Sequence, residues 1–297
     1  PFRGLCSAAL AYKVAQAYQV RYGVAGVPLE SLLDLVALAT VADVVPLQDE
    51  NRSFVREGLH QLSRGARCGI RALKQAAGVT RDCTAETIAF KLAPRINAAG
   101  RLDDAMLGVR LLTTEIPSEA QQLADRLEQL NHERQRIEMD IMTEALASLK
   151  DSALPRVLVL ASRHWHLGVV GIVAARLVDR FQCPAIVMAI NEQGIAKGSA
   201  RTTGGFDLYQ GLAACREVLE SFGGHPSAAG LTIRESRIDE FRAMFSDVVA
   251  GWAHDGYKVP TLNVDAEVRL NEVNLQLIQE IGSLHPFGAG NPEPTFA

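Results

Sequence analysis

Hydrophobic and polar positions follow two different rhythms along the 297 residues of the chain. Up to about residue 150, apolar residues recur every three to four positions or fill whole turns, which predicts a run of helices. Three of these helices are predicted over residues 5–20, 29–45 and 51–62. A longer helix is predicted to about Lys150 from five apolar positions: Leu123, Leu127, Leu130, Ile137 and Ile141. Arg134 falls in the apolar seam of this helix, so a bridge between two domains is favoured over a coiled-coil dimer.

The second half of the chain consists of short apolar runs separated by turns. The runs that predict strands are PRVLVLAS, PAIVMAI, IAKGSAR and SAAGLTI. Helices are predicted over GVVGIVAARLVDRF, from Leu208 to Ser221 with an end at Gly223 and Gly224, and over residues 237–249. The resulting β-α-β-β-α-β-α order indicates a compact α/β domain with a mixed sheet.

Composition narrows the class of protein. A hydrophobic content of 48% with 22% charged residues is typical of a globular protein, and a net charge of −4 means that any nucleic-acid binding must come from local patches. Five widely spaced cysteines without a CxxC pair favour reduced thiols in a cytoplasmic protein over disulfides or a zinc site. No apolar run reaches the roughly 18 residues of a membrane span, and no leader opens the chain. Because the chain starts at Pro1 without Met and stops where a strand is expected, we expect an internal fragment.

One carboxylate stands out in the apolar stretch ALATVADVVPLQDEN. Asp43 is the acid within the first ten residues of that stretch, which are nearly all small or apolar, so Asp43 is expected to be buried. An ionised carboxylate in such surroundings requires a hydrogen-bonded partner, a basic residue or a metal ion. Asp34 lies nearby in the sequence and is interpreted as a cap or a surface residue.

Two glycine-rich segments could bind anions. KGSARTTGG combines Ser199 and Arg201 with glycines at the end of a predicted strand, which suits a phosphate or carboxylate but also fits a plain loop. FGGHPSAAG places Gly223 and Gly224 before His225, and its small residues would let a ligand approach the backbone closely. A helix C-cap at Gly223 is the alternative that requires no function.

Two further segments carry basic residues near turns. In RINAAGRLDDA, Arg101 could grip a phosphate with its planar guanidinium, or it could pair with the neighbouring acids. In HWHLGVVGIVAARL, His166 precedes a glycine-rich helix N-terminus that could attract an anion. The spacing there is not GxGxxG, and this excludes a dinucleotide-binding fold.

The order of the motifs along the chain carries more information than any one of them. TVADVVPL, NAAGRLDDA, WHLGVVGIVAARL, KGSARTTGGFDLYQGL and GGHPSAAG follow one another as in the RecJ family of the DHH phosphoesterase superfamily, which the chain resembles over essentially its whole length. The resemblance implies an α/β architecture with two domains joined by a long helix around a narrow groove, followed by an OB fold entered through VDAEVRL and HPFGAGNPEPTFA. The implied ranges are the C-terminal part of a DHH catalytic domain (1–115), a connecting helix (116–152), a DHH-associated substrate-binding domain (153–255), and a linker with the start of the OB fold (256–297).

The resemblance also implies a reaction. RecJ-type enzymes are 5′–3′ exonucleases that release 5′-mononucleotides from single-stranded DNA with two divalent ions, Mn²⁺ or Mg²⁺. Asp43 matches a metal-ligating aspartate of the DHH domain, and the other ligands are expected upstream of Pro1, so we expect this chain alone to hydrolyse no DNA. Residues of the matched motifs are implied to hold substrate phosphates: Arg101, Ser199, Arg201, His225 and the adjoining Gly223 and Gly224, with His166 as a weaker candidate. Either Arg101, or Ser199 with Arg201, is implied to read the 5′-terminal phosphate.

Two alternatives remain open at the level of sequence. One is another DHH phosphoesterase that acts on oligoribonucleotides or cyclic dinucleotides, although such proteins are shorter and carry no OB extension. The other is a non-catalytic RecJ-like DNA-binding subunit. The resemblance further implies roles in DNA recombination and repair in the cytoplasm, with single-strand-binding protein and a helicase as partners and no membrane association.

Overall fold

The fold is described from a computed structural model that covers residues 2–23, 28–149, 156–202, 204–252 and 262–297. The chain divides into two compact units. The first unit comprises residues 1–131 and 261–297, and the second comprises residues 132–260. Mixed α/β structure with a five-stranded mixed sheet confirms the predicted fold class.

The first unit is helical throughout its N-terminal part. Its core is formed by aliphatic side chains such as Leu62, Leu73, Leu92, Leu111 and Leu127, all of which are fully buried. Its helices are α1 Ser7–Tyr22, α2 Leu33–Ala42, α3 Asp49–Arg64, α4 Cys68–Ala76, α5 Ala85–Thr87, α6 Ala93–Leu102, α7 Met106–Thr113, the first half of α8 Pro117–Ala147, and, near the C-terminus of the chain, α12 Leu275–Gly282.

A π-helical turn, Ile88–Leu92, joins α5 to α6. Pro94 lies at the start of α6 and has no backbone N–H, so an α-helical bond to the residue four positions earlier cannot form. The N–H of Ala93 bonds to the carbonyl of Ile88, five residues back, and the helix continues past the proline in this wider form. Phe90 lies in this turn and is 75% exposed.

Helix α2 ends in a Schellman motif in which valine occupies the position usually taken by glycine. The N–H of Val44 bonds to the carbonyl of Val41, and the N–H of Val45 bonds to the carbonyl of Thr40, both over 3.1 Å. Val44 has a φ of 54°, which is the left-handed region that a β-branched residue rarely adopts. Because its side chain is 71% exposed, little burial offsets this strain. The strained residue directly follows Asp43.

Helix α8 begins in the first unit and ends in the second. Its buried stripe is apolar up to Leu130 and then includes two charged residues, Arg134 and Glu138. Arg134 donates a hydrogen bond of 2.5 Å to one carboxylate oxygen of Glu138, and Arg176 makes an ion pair with the other oxygen. The charge of Arg134 in the seam is thus balanced by the buried Glu138, and Arg134, Glu138 and the exposed Arg176 are named the Glu138 cluster.

The second unit is built on a sheet with the strand order β1-β2-β3-β5-β4, in which β1 and β2 are parallel and the other neighbours are antiparallel. One face packs on a core that contains Phe241 and Phe245. The elements are β1 Leu158–Ser162, α9 Leu167–Phe181, β2 Ala185–Ile190, β3 Ile195–Arg201, α10 Leu208–Ala214, β4 Ser221–Gly224, β5 Ala228–Arg234 and α11 Ile238–Trp252.

One element of the second unit differs from its prediction. The predicted helix from Leu208 to Ser221 stops at Ala214, and Ser221–Gly224 forms the edge strand β4. Gly223 pairs with Gly230 and Gly224 pairs with Ala229 across the antiparallel β4–β5 ladder. The helix C-cap interpretation of Gly223 is therefore wrong.

Candidate functional site

Asp43 lies at the C-cap of α2 and is exposed. The prediction that it is buried is wrong, because the apolar residues before it face the core from within α2 while Asp43 follows the last turn. Within the described residues, its carboxylate makes no ion pair or side-chain hydrogen bond. The negative end of a helix and a carboxylate lie side by side here, and such an arrangement attracts a cation.

A cleft of about 620 Å³ opens beside Asp43. Ala42 and Val44, its two neighbours in the chain, are in the wall, together with Phe90 from the π-helical turn and Phe287 from the C-terminal segment. The wall is largely apolar. This Asp43 cleft therefore offers hydrophobic surface, including the exposed ring of Phe90, next to a carboxylate.

Arg101 lies exposed in the last turn of α6. The acids after it have partners of their own: Asp103 accepts a hydrogen bond of 2.5 Å from Arg126 on α8, and Asp104 accepts one of 2.9 Å from the N–H of Met106. These bonds do not exclude a further contact with Arg101. The bond from Arg126 is the main cause that lowers the pKa of the Asp103 carboxyl. The assignment of Arg101 to phosphate binding stays a prediction.

Ser199 and Arg201 lie on one face of β3, and both are half-buried. Helix α9 approaches them at Gly171, where a Cβ atom would lie 3.1 Å from Oγ of Ser199 and 3.3 Å from Nη2 of Arg201. Arg201 donates a hydrogen bond of 2.8 Å to the carbonyl of Ala200, and no carboxylate pairs with it within the described part of the chain. Burial lowers the pKa of its guanidinium. A half-buried cation without an acid is therefore available for an anionic ligand.

The GGH segment lies at the same edge of the sheet as Arg201, where edge means the strand ends at which β3 stops and β5 begins. Arg201 pairs in register with Ala228, whose carbonyl accepts a hydrogen bond of 2.8 Å from the N–H of His225. His225 is exposed, and a side chain at Gly223 would meet nothing within 4 Å. Gly224 has a φ of 144°, and a Cβ atom there would lie 2.5 Å from the Ala228 carbonyl, so the turn requires glycine. Ser199, Arg201, Gly223, Gly224 and His225 thus come together on one part of the sheet.

His166 is the N-cap of α9 rather than a free group at its N-terminus. Its Nδ1 atom accepts a hydrogen bond of 3.1 Å from the N–H of Gly168. Trp165 beside it is buried and donates a hydrogen bond of 2.7 Å to Glu144 on α8. Both side chains therefore have structural partners, and a role of His166 in binding substrate stays a prediction.

The buried carboxylate of this region is Asp34, which precedes the apolar stretch, and not Asp43. Asp34 is 5% exposed, and Arg67 binds it through two nitrogens at 3.0 and 3.3 Å. The interpretation of Asp34 as a cap or surface residue is wrong, because the partner lies 33 positions further along the chain. No local pattern could have found this pair. Within the described residues, no group of three or more His, Cys, Asp or Glu side chains could hold a metal ion.

Comparison with family models identifies two domains in the chain. Residues 154–251 match the DHHA1 domain, and residues 264–297 match the RecJ OB domain. The sheet of the second unit and the edge that carries Arg201 and His225 are therefore parts of a DHHA1 domain.

Comparison with individual proteins identifies relatives that align with nearly all of this chain. The chain is 40% identical over 297 residues to the single-stranded-DNA-specific exonuclease RecJ of Bacillus subtilis, and 40% identical over 287 residues to that of Dickeya dadantii. The crystal structure of RecJ from Thermus thermophilus in complex with Mg²⁺ matches 96% of this chain with a TM-score of 0.86 and 33% identity. The resemblance to RecJ is thus confirmed.

The chain spans half or less of the length of each of these three RecJ proteins. The alignment with the Bacillus protein includes 99% of this chain but 37% of the Bacillus protein. For the Dickeya protein the shares are 92% and 50%, and for the Thermus structure they are 96% and 44%. No helix within the described residues has the length and apolar character of a membrane span.

Proposed function

We propose that the protein that contains this chain is a 5′–3′ exonuclease specific for single-stranded DNA, which releases 5′-mononucleotides by metal-dependent phosphodiester hydrolysis in DNA recombination and repair. The observation that carries the proposal is the half-buried guanidinium of Arg201. It lies without a carboxylate partner among the described residues, at an edge of the sheet that is open at Gly223.

The chemistry of that edge suits a terminal phosphate. Arg201 offers a planar set of donors, the hydroxyl of Ser199 lies on the same face of β3, and His225 is exposed at the adjoining turn. These groups contact the phosphates of the DNA backbone and read no base, which accounts for action on strands of any sequence. In this proposal Ser199 and Arg201 hold the 5′ phosphate, while Arg101 and His225 hold further phosphates.

Asp43 has the donor chemistry for Mn²⁺ or Mg²⁺, because both ions prefer carboxylate oxygens. The described residues do not complete a ligand set. RecJ structures from Thermus thermophilus hold Mg²⁺ or Mn²⁺. When bound, two such ions would activate water and neutralise charge on the scissile phosphate. Asp43 is proposed as one ligand, held in position by the Schellman motif that follows it.

The proposal is tested on the full-length protein with 5′-phosphorylated single-stranded DNA, the same strand in a duplex, and short RNA. Release of 5′-mononucleotides from the single strand with Mn²⁺ or Mg²⁺, and its loss in EDTA, is the expected result. Preferred cleavage of short RNA or cyclic dinucleotides would instead indicate another DHH phosphoesterase. Strand binding without cleavage would indicate a non-catalytic subunit.

A cytoplasmic location and two partners belong to the same proposal. All five cysteines are free thiols, and four of them are buried, which suits a reducing compartment. Single-strand-binding protein and a helicase are proposed as partners because an exonuclease for single strands requires unwound DNA. Co-purification of either with the tagged protein is the measurement that tests this part.

A further inference from the structure

A continuous surface leads away from the Asp43 cleft along α3. The cleft shares Thr84, Ala85 and His285 with a second depression of about 580 Å³, whose wall contains Arg56, His60 and Arg64. That depression in turn shares Ser63 and Arg64 with a third of about 400 Å³, in which Arg71 and Lys74 lie. All three depressions lie within the first unit.

The basic residues of this surface are regularly spaced. Arg56, His60 and Arg64 recur every four residues on α3, so they form one stripe with a rise of about 6 Å per step. This rise is comparable to the separation of successive phosphates in an extended single strand. We name the surface formed by Arg56, His60, Arg64, Arg71 and Lys74 the α3 track.

Positive charge along the track is not balanced locally. Arg56 and Arg64 make no ion pair within the described part of the chain, whereas many other arginines do, such as Arg95 with Glu128 and Arg110 with Glu119.

The end of the track that is farther from the Asp43 cleft, formed by Arg71 and Lys74 on α4, also has no carboxylate partners among the described residues. Arg71 and Lys74 donate to backbone carbonyls at the C-terminal end of α3, at 2.9 Å to Gly65 and 3.0 Å to Leu62. One acid, Asp82, faces the middle depression. No acid lines the depression around Arg71 and Lys74 among the described residues.

The C-terminal segment forms the opposite side of the track. Arg52, one turn before Arg56, donates a hydrogen bond of 2.7 Å to the carbonyl of Leu284, just beyond α12. Ser283 and His285 then face Arg56 and His60 across the middle depression. A basic helix on one side and a polar turn on the other make a groove rather than an open patch.

We propose that the α3 track binds the backbone of single-stranded DNA on the 3′ side of the nucleotide held in the Asp43 cleft. The direction follows from the proposed function, on which this inference rests: a 5′–3′ exonuclease places the 5′ end at the reacting site, and the rest of the strand must leave along a surface. Charge complementarity selects a polyanion, and the apolar wall of the cleft accommodates an unpaired base.

The test compares strand length and salt in the full-length protein. Arg56→Gln with Arg64→Gln removes two charges while keeping polar side chains of similar length. Binding of labelled oligodeoxythymidines of about 4 and about 20 nucleotides is measured by fluorescence anisotropy at several salt concentrations. For the long strand, the slope of log K against log salt is expected to fall by about 1.4, and affinity near 0.1 M salt by roughly 25-fold. The short strand is expected to bind as before.

Two matched variants sharpen the test. Arg56→Lys with Arg64→Lys keeps both charges and is expected to retain most of the affinity. Arg180→Gln with Arg216→Gln removes two exposed arginines of the second unit and is expected to change neither strand's binding. Unchanged circular dichroism and urea midpoints check that each variant folds.

Three results would overturn the inference: a native salt slope for the long strand, equal losses for both strand lengths, or an equal loss for a duplex of the same length. Failure of the proposed function is read separately. In that case the unaltered protein would release no nucleotide from the short strand, and this measurement does not depend on the track.

Discussion

The Glu138 cluster allows a stability prediction with a defined magnitude. Its carboxylate has a side-chain exposure of 2%, against 11% for Arg134 and 61% for Arg176. Arg134→Met removes the buried partner and leaves Glu138 with an arginine that is mostly in water. Breaking a buried ion pair costs about 3–5 kcal/mol, and because Arg176 remains, we expect a loss near the lower end, about 3 kcal/mol.

The size of this loss comes from the carboxylate rather than from the arginine. The Glu138 oxygen that faces Arg176 is buried and lies against the guanidinium without a well-aligned hydrogen bond. The ion pair with Arg176 therefore cannot replace the hydrogen bond that Arg134 donates to Glu138. Arg176→Met is the matched control, since the same chemical change at a mostly exposed position is expected to cost less than about 1 kcal/mol.

Urea unfolding, followed by the shift of the midpoint at constant slope, measures each variant. Arg134→Met with Glu138→Leu removes both charges and is expected to recover most of the lost stability, because the desolvation penalty disappears with them. If Arg134→Met costs less than about 1 kcal/mol, the carboxylate does not depend on Arg134 and the reasoning is refuted. A double variant that recovers none of the lost stability would refute it equally.

Four further predictions follow from the site and its surroundings. Asp43→Asn in the full-length protein is expected to abolish nucleotide release while strand binding persists; near-native turnover would exclude Asp43 as a metal ligand. Arg201→Lys is expected to weaken binding of 5′-phosphorylated strands more than that of 5′-hydroxyl strands, which a competition assay measures. Val44→Gly relieves left-handed strain of about 1–2 kcal/mol at a cost of about 1 kcal/mol in chain entropy and lost contact, so the urea midpoint is expected to rise slightly. Burial raises the pKa of Cys183 and of Cys215 to about 11, so stability is expected to fall as pH rises from about 9 to about 11, less so after Cys215→Ala.

Strands with full side-chain alternation can be predicted to within a residue or two. The sequence predicts IAKGSAR as a strand, and it is β3 residue for residue, because the buried Ala196 and Ala200 alternate with the more exposed Lys197 and Ser199. The edge strand β4 escapes prediction because two of its four residues are glycines, which carry no alternation. Its ladder with β5 fixes it as a strand, and that pairing is invisible in the local sequence.

Burial of charged residues cannot be predicted in the same way. Asp34 lies at the start of the apolar helix α2 and Asp43 at its end, and the partner that distinguishes them is Arg67, a residue of the α3–α4 connection. Likewise, Arg134 in the apolar seam of α8 is explained by Glu138 and by Arg176 on another helix. The pairs of Asp34 with Arg67 and of Glu138 with Arg176 join different elements of the fold, and hydrophobic periodicity carries no information about such pairs.

Residues of the candidate site are found through glycine-rich segments, and the fold explains why these segments matter. The same edge of the sheet brings β3 and the β4–β5 turn together, although they are well separated in the sequence. The α3 track, in contrast, gives only a loose basic stretch in the sequence. The spacing of Arg56, His60 and Arg64 along α3 indicates a binding surface only once the structure shows that the two arginines have no ion-pair partners among the described residues.

The close approach of Gly171 to Arg201 has a thermodynamic consequence for the DHHA1 domain. The backbone of α9 lies against the guanidinium, and no carboxylate among the described residues pairs with it, so the protein by itself carries a half-buried charge without a counter-charge. A phosphate that enters supplies the missing counter-charge and, by mass action, makes unfolding harder. The melting temperature of this domain should therefore climb with the concentration of a 5′-phosphorylated nucleotide, which makes the substrate a part of what keeps the domain folded.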